Sequence, residues 1–305
     1  MIREPYVDGA FYPASRATLQ ALVYRLFEQA VLARAHEPRT TLVTPLRGIL
    51  VPHAGLEWSG TVAAAGWRVL ADAIGSPETS HAASTNASPD ATIVILGTNH
   101  SAWLDGVGAW PDGAWRTPLG NTAVDPVLVE AVMNLGEPYA TNTGAHLREH
   151  SIEVQLPLLQ VVAPGVRIVP LAVSAGTGET AIEAGARLGR LVAEIDRPGK
   201  RVLLAISTDL AHYPSHDACA QATMDLLPSI LALDPPGVAR TDRDLREAGI
   251  PGLVCGMCGI DPTVLGLAAL QAAGATRGVA LAAATSADAG GPRDRTVGYL
   301  AAAFG

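Results

Sequence analysis

Long apolar runs are missing from this chain. No stretch reaches the roughly 18 residues that a membrane-spanning helix requires. Cysteine is scarce: Cys219, Cys255 and Cys258 are the only three. Three thiols are too few, and odd in number, for a disulfide framework, and a reducing cytoplasm is the simplest compartment for them. The N-terminal stretch "MIREPYVDGAFYPAS" lacks the basic segment followed by an apolar one that marks a secretory signal. Lysine is nearly absent, Lys200 being the only one. Genomic base composition accounts for that bias better than any function. Positive charge is also in deficit, with 21 basic against 29 acidic residues and a net charge of −8, which argues against nonspecific nucleic-acid binding.

What is present is a globular composition, 49% hydrophobic and 16% charged. Six short apolar runs recur: "RGILVP" (47–52), "TIVILG" (92–97), "VRIVPLAV" (166–173), "RVLLAIS" (201–207), "VALAAATS" (279–286) and "VGYLAAAF" (297–304). They are continuous rather than alternating, as strands buried on both faces are. Between them lie helical patterns at 16–35, 181–195 and 261–273. Asp261 is placed to cap the last of these, with Pro262 at its first position. Alternation of this kind predicts a central, largely parallel sheet with helices on both faces. Residues 76–90, "SPETSHAASTNASPD", read as a surface loop. With no repeat and no linker-like segment, residues 1–305 are expected to form one domain.

Open α/β sheets bind ligands beyond the carboxyl ends of their strands. His53 follows the first run in "PHAG", His100 follows the second in "GTNH", and Asp209 and His212 follow the fourth in "TDLAHY". Three strands thus deliver four metal-binding or proton-handling side chains to one edge. Each alone has an ordinary reading, a bonded loop histidine or a helix cap; their joint placement points to a site. His36, His81 and His216 fall in helix-end or loop contexts and are assigned nothing.

Two further motifs carry chemistry. "CGMCGIDP" sets Cys255 and Cys258 before a helix, where a thiol near the N-terminus favours the thiolate; two buried apolar thiols are the competing reading. "HLREH" places His146, Glu149 and His150 in the H-x-x-E-H pattern of inverted zinc proteases. Ser151 and Glu153 suggest that the helix begins near His150, which leaves His146 outside it and unable to chelate alongside its neighbour.

"REPYVDGAFYPAS", "VPHAG", "LGTNH", "EHSIEVQLPLL", "STDLAHY", "CGMCGIDP" and "TVGYLAAAF" together resemble, in their order, the Memo family, called AmmeMemoRadiSam system protein B in prokaryotes. That resemblance implies a single three-layer α/β domain with a largely parallel, mixed sheet, similar to the catalytic subunit of class III extradiol dioxygenases of the LigB type. It further implies a non-haem metal, Fe(II) first with copper or zinc as rivals, held by His53, His100 and Cys255. His150, Asp209 and His212 would stand around the metal as positioning or proton-transfer groups. Cys258 then falls where a histidine can occur. The chain departs from the family at Leu56, Glu57 and Trp58 after "PHAG", and at Thr208 and Ala211 around Asp209, which leaves the substrate open.

Three functions follow. The first is a metal-dependent oxidoreductase acting on a small-molecule substrate, an aromatic one included. The second is a non-catalytic metal- or partner-binding protein that acts with AMMECR1-like and radical SAM proteins. The third is a zinc hydrolase using "HLREH".

Overall fold

The structure, a computed structural model, describes residues 1–35, 43–75 and 90–305. Its strands are β1 (Ile2–Arg3), β2 (Gly48–Val51), β3 (Ala91–Thr98), β4 (Gly106–Ala109), β5 (Ala114–Thr117), β6 (Gly120–Ala123), β7 (Tyr139–Thr141), β8 (Arg167–Ser174), β9 (Arg201–Ser207), β10 (Gly278–Thr285) and β11 (Gly298–Phe304). Its α-helices are α1 (Arg16–Ala35), α2 (Leu56–Ala73), α3 (Pro126–Met133), α4 (Leu156–Val162), α5 (Glu179–Ile195), α6 (His216–Leu231), α7 (Pro235–Glu247) and α8 (Ile260–Ala272). All six apolar runs are strands. The surface loop expected at 76–90 falls, but for Asp90, outside the described residues, as do His36 and His81.

The main sheet has eight strands in the order β10-β11-β2-β9-β3-β8-β4-β7. β2, β9, β3 and β8 run parallel, and antiparallel partners flank them: β11 on β2 and β4 on β8. Every residue of β2, β3 and β11 is buried, and the cause lies in the layers. In β2, Ile49 and Val51 point toward Gly66 of α2, whereas a Cβ on Gly48 would point at Leu270 of α8. Successive residues of one strand therefore meet helices on opposite faces, so no alternation with polar residues survives. A small second sheet, β1-β5-β6, stands apart from the main one.

The helix starting near Asp261 begins at Ile260, with Gly259 at the cap position. Asp261 lies inside the first turn, and its carboxylate accepts the Gly176 N–H at 3.0 Å. It is thus tied to the end of β8 rather than to its own helix.

Helices α5 and α8 touch backbone to backbone. A Cβ on Gly185 would lie 2.1 Å from the Leu265 carbonyl oxygen, and one on Gly189 would lie 2.0 Å from that of Ala269. Neither neighbour is a side chain that can swing aside, so the helices would have to separate. Gly178, just before α5, faces open space. Gly189→Ala is expected to lower the unfolding free energy by about 2 kcal/mol or more, and Gly178→Ala by under about 0.5 kcal/mol. Urea denaturation of the two variants checks this, and equal losses would contradict the account of the seam.

Candidate functional site

β2, β9 and β3 are parallel neighbours, so their carboxyl ends lie side by side. His53, Asp209 and His100 each sit two residues past the end of one of them. The segment 146–153 arrives over β3 at very close range. A Cβ on Gly97 would lie 2.5 Å from both Ile152 Cγ1 and Ser151 Oγ, so glycine is required for that approach. Ser151 Oγ donates to the Thr98 carbonyl at 3.0 Å and fixes the segment there. His150 is thereby brought beside His53 and His100. Ring centroids are 5.3 Å apart for His53–His100, 5.4 Å for His53–His150 and 4.6 Å for the stacked His100–His150 pair. Donor atoms of these three histidines lie within 4.8 Å of one another, and so do those of His53, Asp209 and Cys258. His53 belongs to both groups.

Hydrogen bonds decide which nitrogen of His53 faces this cluster. Trp67 Nε1–H can only donate, so the Gln155 atom that it meets at 2.8 Å is the amide oxygen. Gln155 Nε2 then donates to the Pro52 carbonyl and to Ser207 Oγ, both at 2.9 Å. Ser207 gives its only proton to the Ser151 carbonyl at 2.7 Å. It must therefore accept from His53 Nδ1 at 3.0 Å, which leaves Nε2 as a lone pair. That Nε2 lies 3.2 Å from Cys258 Sγ.

Glu149 does the same for His100. Its carboxylate is fully buried. It accepts the His100 backbone N–H at 2.6 Å, His100 Nδ1–H at 3.0 Å, and the backbone N–H groups of His150 and Ser151 at 2.8 Å each. Burial pushes this carboxyl up, but the His100 ring hydrogen bond and the charges of His100 and His150 outweigh it and hold the group below its ordinary value. His100 thus keeps its proton on Nδ1 and presents Nε2. Burial, with the neighbouring rings His150 and His100 adding to it, holds His53 well below its ordinary pKa. Burial, against the opposing pull of Glu149, brings His150 down to about 4. Both are neutral at physiological pH, the form in which imidazole binds metals.

The segment 146–153 is anchored from the N-terminus. Buried Arg3 donates to the His146 carbonyl at 3.1 and 2.9 Å, to the Glu149 carbonyl at 2.7 Å, and to the Glu153 carboxylate. Glu153 also accepts the backbone N–H groups of Tyr6 and Val7, and Tyr12 Oη–H at 2.5 Å.

The placements differ from the expectations in three respects. Cys258, not Cys255, is the thiol against His53. Cys255 is in neither metal-capable group among the described residues, and its backbone instead pairs with His212, whose N–H donates to its carbonyl at 3.1 Å. Two residues separate the two thiols, and "CGMCG" gives no signal of which one turns inward. Asp209 does not accept a ring N–H. Its Oδ1 takes the backbone N–H groups of His53 and Ala54 at 2.6 and 3.2 Å, while Ser207 and Glu149 orient the rings. Their signal was local: Ser207 ends a strand beside His53's own, and Glu149 precedes His150. Finally, no helix starts near His150. A 3-10 turn at Glu153–Gln155 leads into α4. His146 lies on a separate 3-10 turn, Thr143–His146, with Nε2 at 2.9 Å from the Gly108 carbonyl. The "HLREH" histidines therefore share no helix face, and His146 joins no metal-capable group among the described residues. His212 donates from Nδ1 to the Leu210 carbonyl at 2.6 Å, which leaves Nε2 as a lone pair without a hydrogen bond among the described residues.

Comparison with known proteins agrees with this architecture. The pattern described as "Memo-like protein" matches residues 3–303. The chain belongs to the Memo family. A MEMO1 family protein of Methanopyrus kandleri is 35% identical over all of this chain and 99% of its own length. One from Methanothermobacter thermautotrophicus is 32% identical over 98% of this chain and 99% of its own. The crystal structure of uncharacterized protein JW3007 from Escherichia coli K12 superposes with a TM-score of 0.52 over 85% of this chain and all of that one, at 12% identity. The last likeness concerns the fold alone. Among the described residues of this Memo chain, no helix is long and apolar enough to cross a membrane.

The buried histidines of the Memo chain set its acid behaviour. His146 is fully buried, and burial, against the opposing Gly108 hydrogen bond, pushes it down to about 4 from 6.5. Between those values the unfolded chain holds a proton there that the folded chain does not. Stability is therefore full above pH 6.5 and falls as pH falls toward 4. His146→Gln keeps a donor for Gly108 and cannot titrate. It is expected to flatten the slope of unfolding free energy in that window by up to about 1.4 kcal/mol per pH unit, read by urea denaturation at several pH values.

Proposed function

We propose that the chain is a metal-dependent oxidoreductase whose centre is built on His53 and His100, with His150 and Cys258 completing the donor set. The observation that supports this reading is the convergence of lone pairs: Ser207 and Glu149 take the outward ring protons of His53 and His100, so both Nε2 atoms face one point. Outer partners of this kind are what metal-ligating histidines use to fix tautomer and direction. The donors fit a first-row metal. Neutral imidazoles suit iron, copper and zinc alike, and a thiol among them shifts the preference toward the softer ions. Burial and the Asp209 carboxylate push the Cys258 thiol well above its ordinary pKa, and a bound dication reverses that balance. Cys255 is raised to about 11 by burial and by Asp242 and has no such cation beside it in this arrangement.

A bound iron or copper ion would supply Lewis acidity and electron transfer to a coordinated substrate. The chain's own residues do the rest. His212, with Nε2 unoccupied, takes a proton from a substrate hydroxyl. Asp209 holds the backbone turn after β2, and with it the height of His53. Phe11, 4.7 Å from the His150 ring centroid, shields that imidazole from water. Iron is the first expectation, with copper and zinc as rivals, and the substrate class is a small molecule. The three free thiols fit a reducing cytoplasm.

A second reading, a partner-binding protein acting with AMMECR1-like and radical SAM proteins, draws on Trp103. It is 91% exposed in the loop that follows His100, where an aromatic side chain suits a docking surface better than solvent. Complexes that persist in His53→Ala would favour this role over the enzymatic one.

Metal analysis after anaerobic reconstitution should give about one ion of iron or copper per chain, as a single site of this donor count requires. His53→Ala and His100→Ala should lose it, and Glu149→Gln should weaken it by about tenfold to a hundredfold. A sulfur-to-metal charge-transfer band with copper(II) should vanish in Cys258→Ser and persist in Cys255→Ser. The reverse pattern would return the thiol role to Cys255, and absence of any metal would remove the oxidoreductase reading.

A further inference from the structure

Two carboxylate oxygens beside the histidine cluster hold backbone in the same way. Asp209 Oδ1 accepts the successive N–H groups of His53 and Ala54, and Glu149 Oε1 accepts those of His150 and Ser151. Each fixes the stretch of chain that carries a ring of the cluster. Glu153 Oε1 does likewise for Tyr6 and Val7, on the segment that leads to Phe11. The thiol loop has its own counterpart on α7. Asp242 is fully buried. Its Oδ1 accepts the N–H groups of Gly256 and Met257 at 3.0 and 3.1 Å, and these are the two residues between Cys255 and Cys258. Arg246, one turn further along α7, donates to the same carboxylate and balances its charge. Charge-assisted bonds of this kind are short, strong and directional.

The loop 255–259 is thereby pinned from two sides. At the sheet edge, the Cys255 carbonyl accepts the His212 N–H at 3.1 Å, Cys258 N–H donates to the Asp209 carbonyl at 3.2 Å, and Gly259 N–H donates to Thr208 Oγ1 at 3.0 Å. From α7, Asp242 takes the two N–H groups in between. Bonds at the ends alone would leave the middle peptides free to rotate, and with them the direction in which the Cys258 side chain leaves the backbone. With the middle held, Met257 is buried and Cys258 Sγ stands 3.2 Å from His53 Nε2. The fit is tight. A Cβ on Gly256 would lie 2.8 Å from Asp242 Oδ1, so either the carboxylate or the loop would have to give way.

We propose that Asp242 is a positioning residue for the metal centre: through the Gly256 and Met257 N–H groups it turns Cys258, rather than Cys255, toward His53. This deepens the reading above by naming what selects the thiol. It rests on that reading for the metal, though not for the placement of the sulfur. Among the described residues the hydrogen bonds of the Asp242 carboxylate go to two backbone N–H groups and to Arg246, so its influence on the centre travels through the backbone. Outer partners that hold a ligand in place in this way govern metal affinity without touching the ion.

The test reads His53 in the metal-free full chain, by nitrogen–proton correlation NMR of the imidazole rings. Cys258→Ala sets the reference: it should move the Nε2 resonance and leave Nδ1, held by Ser207, in place. Asp242→Ala should reproduce most of that shift. Asp242→Asn, whose amide oxygen still accepts both N–H groups, should keep the wild-type resonance. Gly256→Ala crowds the same contact from the loop side, at a residue without positive φ. It should shift Nε2 as well, and it decides the matter if Asp242→Ala does not fold. A carboxylate that only stabilises α7 would lower the melting temperature in Asp242→Ala and leave Nε2 at its wild-type position. That result, an Nε2 resonance insensitive to Cys258→Ala, or an Asp242→Asn shift equal to that of alanine overturns the positioning role. With copper(II) added, Asp242→Ala should bind about tenfold more weakly and lose the sulfur-to-metal band, while Asp242→Asn keeps both; a band that survives in Asp242→Ala would also overturn it. Wild type that binds no copper, with the NMR pattern intact, would remove the oxidoreductase reading alone.

Discussion

A serine hydroxyl has one proton to give, and at Ser207 it goes to the carbonyl of Ser151. The direction of every other bond around it follows. Gln155 must donate to Ser207, because its oxygen is held by Trp67; His53 must donate as well, because no other proton is available. A fully buried chain of five side-chain and backbone groups therefore has one consistent arrangement, and in it His53 turns its lone pair inward. Such fully satisfied networks specify a geometry more strongly than apolar packing does. The tautomer is settled by groups on α2, on the turn before α4 and on β9, none of which needs to touch a ligand.

Glu149 is the electrostatic counterpart. A buried carboxylate is costly unless its lone pairs are satisfied. Here it accepts four N–H groups, two from the successive positions His150 and Ser151 and two from His100 in the loop after β3. The charge binds two loops of the main sheet, the one after β3 and the one between β7 and β8, and one of its partners is the ring of His100. Structure and chemistry are joined at this residue, since the interaction that closes the loops also orients the imidazole.

Much of the fold was legible in the sequence, for a physical reason. Strands buried on both faces must be apolar throughout, so 47–52, 92–97 and 201–207 declare themselves without reference to neighbours. The two residues that follow each strand are fixed by the strand's direction, which is why His53, His100 and Asp209 could be placed at one edge. Helix α2 was not legible: "LEWSGTVAAAGWRVLADA" is buried nearly all round, so it lacks the polar stripe that marks a surface helix. The choice between Cys255 and Cys258 was hidden as well. It depends on Cys255 being drawn by its carbonyl into a bridge with His212, and on Gly259 N–H bonding to Thr208 Oγ1 at 3.0 Å. Those contacts join segments about fifty residues apart. His150 was expected around the metal as a positioning or proton-transfer group; how closely its ring joins those of His53 and His100 depends on the approach that Gly97 allows a distant segment, which no local pattern records.

Arg3 leaves a consequence for how the molecule comes together. It grips carbonyls and a carboxylate that lie 143 to 150 positions further along the chain. During synthesis it precedes those partners and waits until about 150 further residues have followed before it has anything to hold. Contacts of such long sequence separation form late and slow the overall rate. The pocket at the sheet edge is therefore among the last parts of the molecule to acquire its shape.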